Sequence, residues 1–144
     1  MEKIRILAIC IHNSARSQMT EELLRKYGGD SLSVTSAGIE PGNINPYVQR
    51  LLLEEGIDIS RKATRSVFDL HGQGEKFDYV IAVCDAEAAE RCPIFPAEKQ
   101  RFHWPFPDPS RVNGTEEEKL AAVREIKETI KARVLEFLAE MGGV

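Results

Sequence analysis

Cys10, Cys84 and Cys92 are the residues of this chain with the most chemistry to offer, and an arginine stands at a telling distance from the first. In Cys10-Ile11-His12-Asn13-Ser14-Ala15-Arg16-Ser17, five residues separate a thiol from a guanidinium. That length can curl a loop whose backbone N–H groups point inward. With the N-terminus of a following helix, it makes a nest for a tetrahedral oxyanion. Arg16 can close the ring with a two-pronged fork on two anion oxygens. The same positive field favours a thiolate at Cys10, which is the nucleophilic form. Ser17 could donate a hydrogen bond to that sulfur, and the side chain of Asn13 could brace the loop. The plain alternative is a buried cysteine and a chance arginine on a helix turn.

The elements needed to position such a loop are written around it. Ile4 to Ile9 is an almost continuous apolar run, as expected of a strand covered on both faces. Ser17 to Tyr27 follows as a helix with Met19, Leu23, Leu24 and Tyr27 near one face, stopped by Gly28-Gly29. Leu32 to Ser36 is a second strand. Asn45-Pro46 caps a helix that carries Val48, Leu51 and Leu52 and ends at Gly56. A short helix is expected around Ser66 to His71, a third strand at Asp78 to Val83 and a fourth at Arg101 to Trp104. Thr115 and Glu118 form a capping box that opens a long final helix, whose apolar positions Leu120, Val123, Ile126, Ile130, Val134, Phe137 and Met141 keep helical spacing.

Strand–helix alternation with short connections implies an α/β fold in three layers, with a parallel sheet of about four strands flanked by helices. Ligands of such sheets bind beyond the carboxyl ends of the strands. Cys10 follows the first strand and Cys84 the third, so both thiols are expected at one crevice.

Composition sets the outer bounds. A chain of 144 residues is enough for one domain, expected to span 1–144, and 42% apolar with 29% charged residues is the balance of a folded one. A net charge of −4 argues against binding a nucleic-acid backbone. No run approaches the ~18 apolar residues of a membrane span, and the N-terminus lacks the features of a secretory signal. A cytoplasmic address and a monomer are expected, with no membrane partner. Three cysteines, an odd number, do not make a disulfide framework.

CIHNSARSQM, TSAGI at 35–39 and the Asp108-Pro109 pair resemble the low-molecular-weight protein tyrosine phosphatase superfamily over nearly the whole chain. Within it, the phrases N-x-x-R-S-Q-M, SAGIEPGNINP, EEGIDIS, VCDAEAAERCPIFP and HWPFPDP resemble thioredoxin-coupled arsenate reductases. The resemblance implies that Cys10 is the nucleophile and that Arg16 stabilises the transition state. Residues Ile11, His12, Asn13, Ser14, Ala15, Arg16 and Ser17 become the oxyanion cradle. Asp108 corresponds to the family's general acid, although an Asp before Pro is by itself ordinary turn chemistry. Arsenate is the implied substrate, with phosphate or sulfate as competing oxyanions, thioredoxin the implied reductant, and no cofactor is called for.

A phosphatase needs one cysteine, whereas reduction of arsenate needs a source of two electrons. Cys84 could attack the sulfur of a Cys10–arsenate adduct, and Cys92 could then move the disulfide to Cys84–Cys92. A helix between the latter two would hold them about 12 Å apart, so this scheme requires that segment to unwind or loop out. Seven residues separate them here, against six in the family members compared. Ala15 stands where related proteins carry an extra cysteine, leaving only the three that the relay uses. Asn13, Glu21 and Ser36 match potassium ligands of some relatives, but Arg65 replaces the acidic fourth, so a tight potassium site is not expected. Zinc held by Cys84, Cys92 and His103 is disfavoured by the spacing. His12 is expected to be exposed, and Trp104 and Phe106 to line core or crevice. Two further readings stay open: a phosphomonoesterase using Cys10, Arg16 and Asp108, and an oxyanion-binding redox sensor without turnover.

Overall fold

Apolar residues run through β1 (Ile4–Cys10) because both of its faces are covered. Ile6 and Cys10 point into one core with Met19, Leu23, Leu24, Leu51, Ile130 and Val134. Leu7 and Ile9 point into another with Val67, Phe77, Val80 and Phe95. The period of two along a strand separates the two sets. The computed structural model describes residues 3–84 and 95–141 of the chain.

The strands β1, β2 (Leu32–Gly38), β3 (Phe77–Ala82) and β4 (Ala97–His103) form one parallel sheet in the order β2-β1-β3-β4. Helices α1 (Arg16–Gly28), α2 (Pro46–Glu54) and α4 (Glu116–Glu140) supply the larger core, and α3 (Val67–Gly72) covers the other face. The four-stranded, three-layer α/β fold expected from the alternation is what the chain adopts.

Several local expectations hold to the residue. Asn45 accepts from the N–H groups of Tyr47 and Val48, with Pro46 at the first helical position. The short helix expected around Ser66 to His71 is α3, and Ser66 proves to be its cap. Thr115 and Glu118 form the reciprocal capping box. Other boundaries moved. β4 begins at Ala97 rather than Arg101, since the residues Glu98, Lys99 and Gln100 of this edge strand are exposed and carry no apolar pattern. α1 is buried nearly all round rather than on one face: Ser17, Gln18, Thr20, Glu21 and Glu22 are buried along with its leucines. Helical periodicity cannot foresee a helix enclosed on its polar side as well.

An ion cluster ties α1, α2 and α4 together. Glu55, just after α2, lies 2.9 Å from Lys127 Nζ, 3.1 Å from Lys131 Nζ and 3.5 Å from Lys26 Nζ. Burial alone would favour its neutral form, but Lys127 and Lys131 outweigh that and bring its pKa from 4.5 down to about 2. A depressed carboxyl stabilises the fold in full above its unfolded pKa of 4.5, and the contribution is lost as pH falls toward 2. Glu55→Gln is therefore expected to cost roughly 1–3 kcal/mol at neutral pH. In urea denaturation, its deficit against wild type should shrink as pH falls from 4.5 to 2; a deficit constant with pH would remove the ion cluster as its cause.

Candidate active site

The strand order places a switch point between β1 and β3, because the chain runs from β1 to a neighbour on one side and β3 lies on the other. Cys10 ends β1, and Cys84 lies just past β3. Val83 N–H donates to Ile9 O at 2.9 Å, so the two strand ends are bonded neighbours there. Cys10 and Cys84 are both buried thiols, 3% and 0% exposed. Both thiols therefore stand at the carboxyl edge of one sheet. Cys92 lies outside the described residues, and so does the segment expected to loop out.

The loop from Cys10 to Arg16 turns its carbonyls outward. Those of Cys10, Ile11, His12 and Ser14 accept from the N–H groups of Ile39, Glu40, Gly42 and Asn45 at 3.3, 2.8, 3.0 and 2.9 Å. The carbonyl of Asn13 accepts from Gln18 Nε2 at 3.0 Å. In a trans peptide the C=O and the following N–H point in opposite directions, so the N–H groups of residues 11 to 15 face the other way. One of them, Asn13 N–H, reaches Cys10 Sγ at 3.2 Å. Ser17 Oγ lies 2.9 Å from the same sulfur and accepts from Asn13 Nδ2 at 2.8 Å. Toward a thiolate, that hydroxyl can only donate.

Asn13 holds this loop together. Its φ of 55° is in the left-handed region, where asparagine is among the better tolerated residues. Its side chain is fully buried and satisfied: Nδ2 donates to Ser17 and Ser36, while Oδ1 accepts from Gln18 Nε2 and the main-chain N–H of Arg65. Ser36 Oγ in turn donates to Glu21 Oε1 at 2.6 Å. The Glu21 carboxylate also meets Arg25 at 2.6 Å and Lys62 Nζ at 2.8 Å. Asn13, Ser36 and Glu21 are thus spent on one another, with an ammonium and a guanidinium already on the carboxylate. These residues do not fit a free cation, and Arg65 enters through its backbone.

Arg16, the first residue of α1, is 5% exposed and donates through Nη1 to Phe106 O at 3.2 Å. Its Nη2 lies 3.9 Å from Asp108 Oδ2. Trp104 and Phe106 are core residues, in tilted and edge-to-face ring contacts with Phe102 and Phe137 between β4 and α4, and they carry the chain from the sheet edge to Asp108. Asp108 accepts from Ser110 N–H at 2.9 Å and Ser110 Oγ at 2.7 Å, capping the turn Pro109–Arg111. It therefore has the turn chemistry that its sequence context suggests and a place beside Arg16 as well. Burial disfavours its charge, but Ser110, Arg16 and Arg111 more than offset this and hold the carboxyl below its ordinary range. His12 is exposed, with Nδ1 paired to Glu40 O. His103 Nε2 pairs with the carbonyl of Cys84. That contact, the pairing of Lys62 with Glu21 and the close backbone approach at Gly38 are not read from the sequence, since each matters only through a partner distant along the chain.

Gly38 shows how closely the loop is built. A Cβ there would lie 2.7 Å from Asn13 N and Ile11 O and 2.9 Å from His12 C, all of them backbone atoms that cannot swing aside. Gly38→Ala is expected to cost roughly 1–3 kcal/mol in urea denaturation and to weaken inorganic phosphate binding at the loop. Unchanged stability and phosphate affinity would mean that the loop does not need this close approach.

The low molecular weight phosphotyrosine protein phosphatase family model matches residues 5–142. An arsenate reductase of Halalkalibacterium halodurans is 42% identical over 142 residues, covering 99% of each chain. The thioredoxin-dependent arsenate reductase of Corynebacterium glutamicum superposes with a TM-score of 0.73 at 30% identity, covering 98% of this chain and 63% of that one. A structure of an arsenate reductase in the phosphate binding state gives 0.74 at 25% identity, over 95% of this chain and 98% of that one. With a family match along almost its whole length, the chain belongs to the low molecular weight phosphotyrosine protein phosphatase family.

Proposed function

We propose that this protein reduces arsenate to arsenite with its own thiols. The observation that carries this is the second buried thiol, Cys84, at the end of the strand bonded to the one that ends in Cys10. Phosphate-ester hydrolysis has no use for it. The identity to an arsenate reductase along the whole chain supports the same substrate.

Cys10 thiolate attacks arsenic(V), held by the loop N–H groups and the Arg16 fork, and an oxygen leaves as water with its last proton from Asp108. Cys84 thiolate then attacks the Cys10 sulfur. The electron pair of the S–As bond passes to arsenic, arsenite leaves, and a Cys10–Cys84 disulfide remains. Attack of Cys92 on Cys84 frees Cys10 and moves the disulfide to Cys84–Cys92. An external dithiol reduces it, and thioredoxin is the candidate because the Corynebacterium relative uses it. One arsenate and two thiols give one arsenite, one disulfide and one water.

The balance is tested by NADPH oxidation with arsenate, thioredoxin and thioredoxin reductase, run beside p-nitrophenyl phosphate hydrolysis. Cys10→Ser should abolish both activities. Cys84→Ala and Cys92→Ala should abolish arsenate-dependent NADPH oxidation and leave phosphate release within about twofold, since the first displacement does not use them. Full multiple-turnover reduction by Cys92→Ala would break the three-thiol relay. Phosphate release without NADPH oxidation in the wild type would make the protein a phosphatase, a reaction for which Cys10, Arg16 and Asp108 suffice. Arsenate binding without either turnover would favour a sensor.

Asp108 must take up a proton before it can donate one, and an anionic substrate beside it raises its proton affinity. Ser110→Ala removes one of the bonds that keep the carboxyl ionised. The alkaline limb of the p-nitrophenyl phosphate profile should then move to higher pH. A limb that stays in place belongs to another group.

A further inference from the structure

The ladder between β3 and β4 ends with Trp104 N–H donating to Ala82 O at 2.8 Å. Two residues further along, the next carbonyl on that side of β3 is that of Cys84. The chain opposite has by then reached Pro105, Phe106 and Pro107, with the Phe106 carbonyl committed to Arg16. The imidazole of His103 reaches the Cys84 carbonyl, with Nε2 at 2.8 Å. A side chain has added one bond to the sheet, and that bond falls on the residue bearing the second thiol.

We infer that His103 is a positioning residue for Cys84, an inference that rests on the thiol relay proposed above. Val83 N–H on Ile9 O holds the chain just before Cys84 against β1. His103 holds the carbonyl just after the Cys84 Cα from the β4 side. The main chain at Cys84 is therefore pinned from both neighbouring strands, one of which ends in Cys10. Attack on the Cys10 sulfur must approach in line with the S–As bond, and a misplacement of about 1 Å can cost such a step a hundredfold. The clamp keeps the Cys84 backbone in register with the Cys10 strand end while its thiol turns to attack. A donor is needed and not a charge, because the Nε2–H tautomer and the imidazolium both donate.

His103 is an exposed residue, so its replacement need not disturb the core. The test compares His103→Leu, which lacks a donor, with His103→Gln, whose amide can donate. Arsenite release is followed in a single turnover without external reductant, beside p-nitrophenyl phosphate hydrolysis. His103→Leu should slow arsenite release about tenfold, the rate equivalent of one lost hydrogen bond, and leave phosphate release within about twofold. His103→Gln should recover most of the loss. Wild-type arsenite release by His103→Leu would overturn the inference. So would equal slowing in both variants, or a parallel fall of both activities, which would mark a purely structural bond. Cys84→Ala run alongside separates the two ideas: if it also releases arsenite at full rate, the relay itself is wrong.

Discussion

A loop that aims successive peptide N–H groups at one point must send its carbonyls the opposite way, and those carbonyls then need donors from elsewhere. Here the donors come from residues 39–45, the chain that leaves β2, and from the side chain of Gln18. The cradle around Cys10 is thus the inner lining of a two-layer object, whose outer layer is the segment after the neighbouring strand. Gly38 sits where these layers meet because any Cβ would enter the peptide planes of residues 11 to 13. The rest of the site depends on this arrangement.

The loop is held at its centre by a neutral amide and at its edge by charge. Asn13 occupies a left-handed backbone position and makes four side-chain hydrogen bonds, including one to the main chain of Arg65. Behind it, Glu21 is a carboxylate 1% exposed, and such a charge is tolerable only when paired. Lys62 and Arg25 pair it, and Ser36 passes its influence on to Asn13 as a hydrogen bond. The polar burial of α1 follows: the helix that begins at Arg16 must also carry the side chains that hold the loop in shape.

The sheet order contributes something separate. Because β3 lies beside β1, a strand far along the chain delivers Cys84 to the edge where Cys10 already stands. From the end of β4 onward, Phe102, Trp104 and Phe106, in tilted and edge-to-face ring contact, lead to a carbonyl on Arg16 and, two residues later, a carboxylate beside it. The Cys10–Arg16 loop, the Asp108 carboxylate and the Cys84 thiol come from three separate stretches of chain, and their meeting is a property of strand order.

What was legible in the residues alone was local or periodic. The Cys-x5-Arg-Ser loop is contiguous, so its curl and its inward amides follow from spacing. The continuous apolar run of β1, the caps at Asn45 and Thr115, and the alternation of strands and helices point to a covered parallel sheet without reference to any distant residue. The start of β4 was not legible, because an exposed edge strand imposes no hydrophobic pattern. Nor were Lys62 on Glu21, Arg65 N–H on Asn13, or His103 on the Cys84 carbonyl. Each joins residues from 19 to 52 positions apart, and a lysine, an arginine and a histidine on the way to the surface look alike in sequence whatever they meet. The amino-acid sequence determined which groups could do the chemistry. Tertiary structure decided which of them stand together, because hydrogen bonds and ion pairs between separate elements exist only once packing has chosen their neighbours.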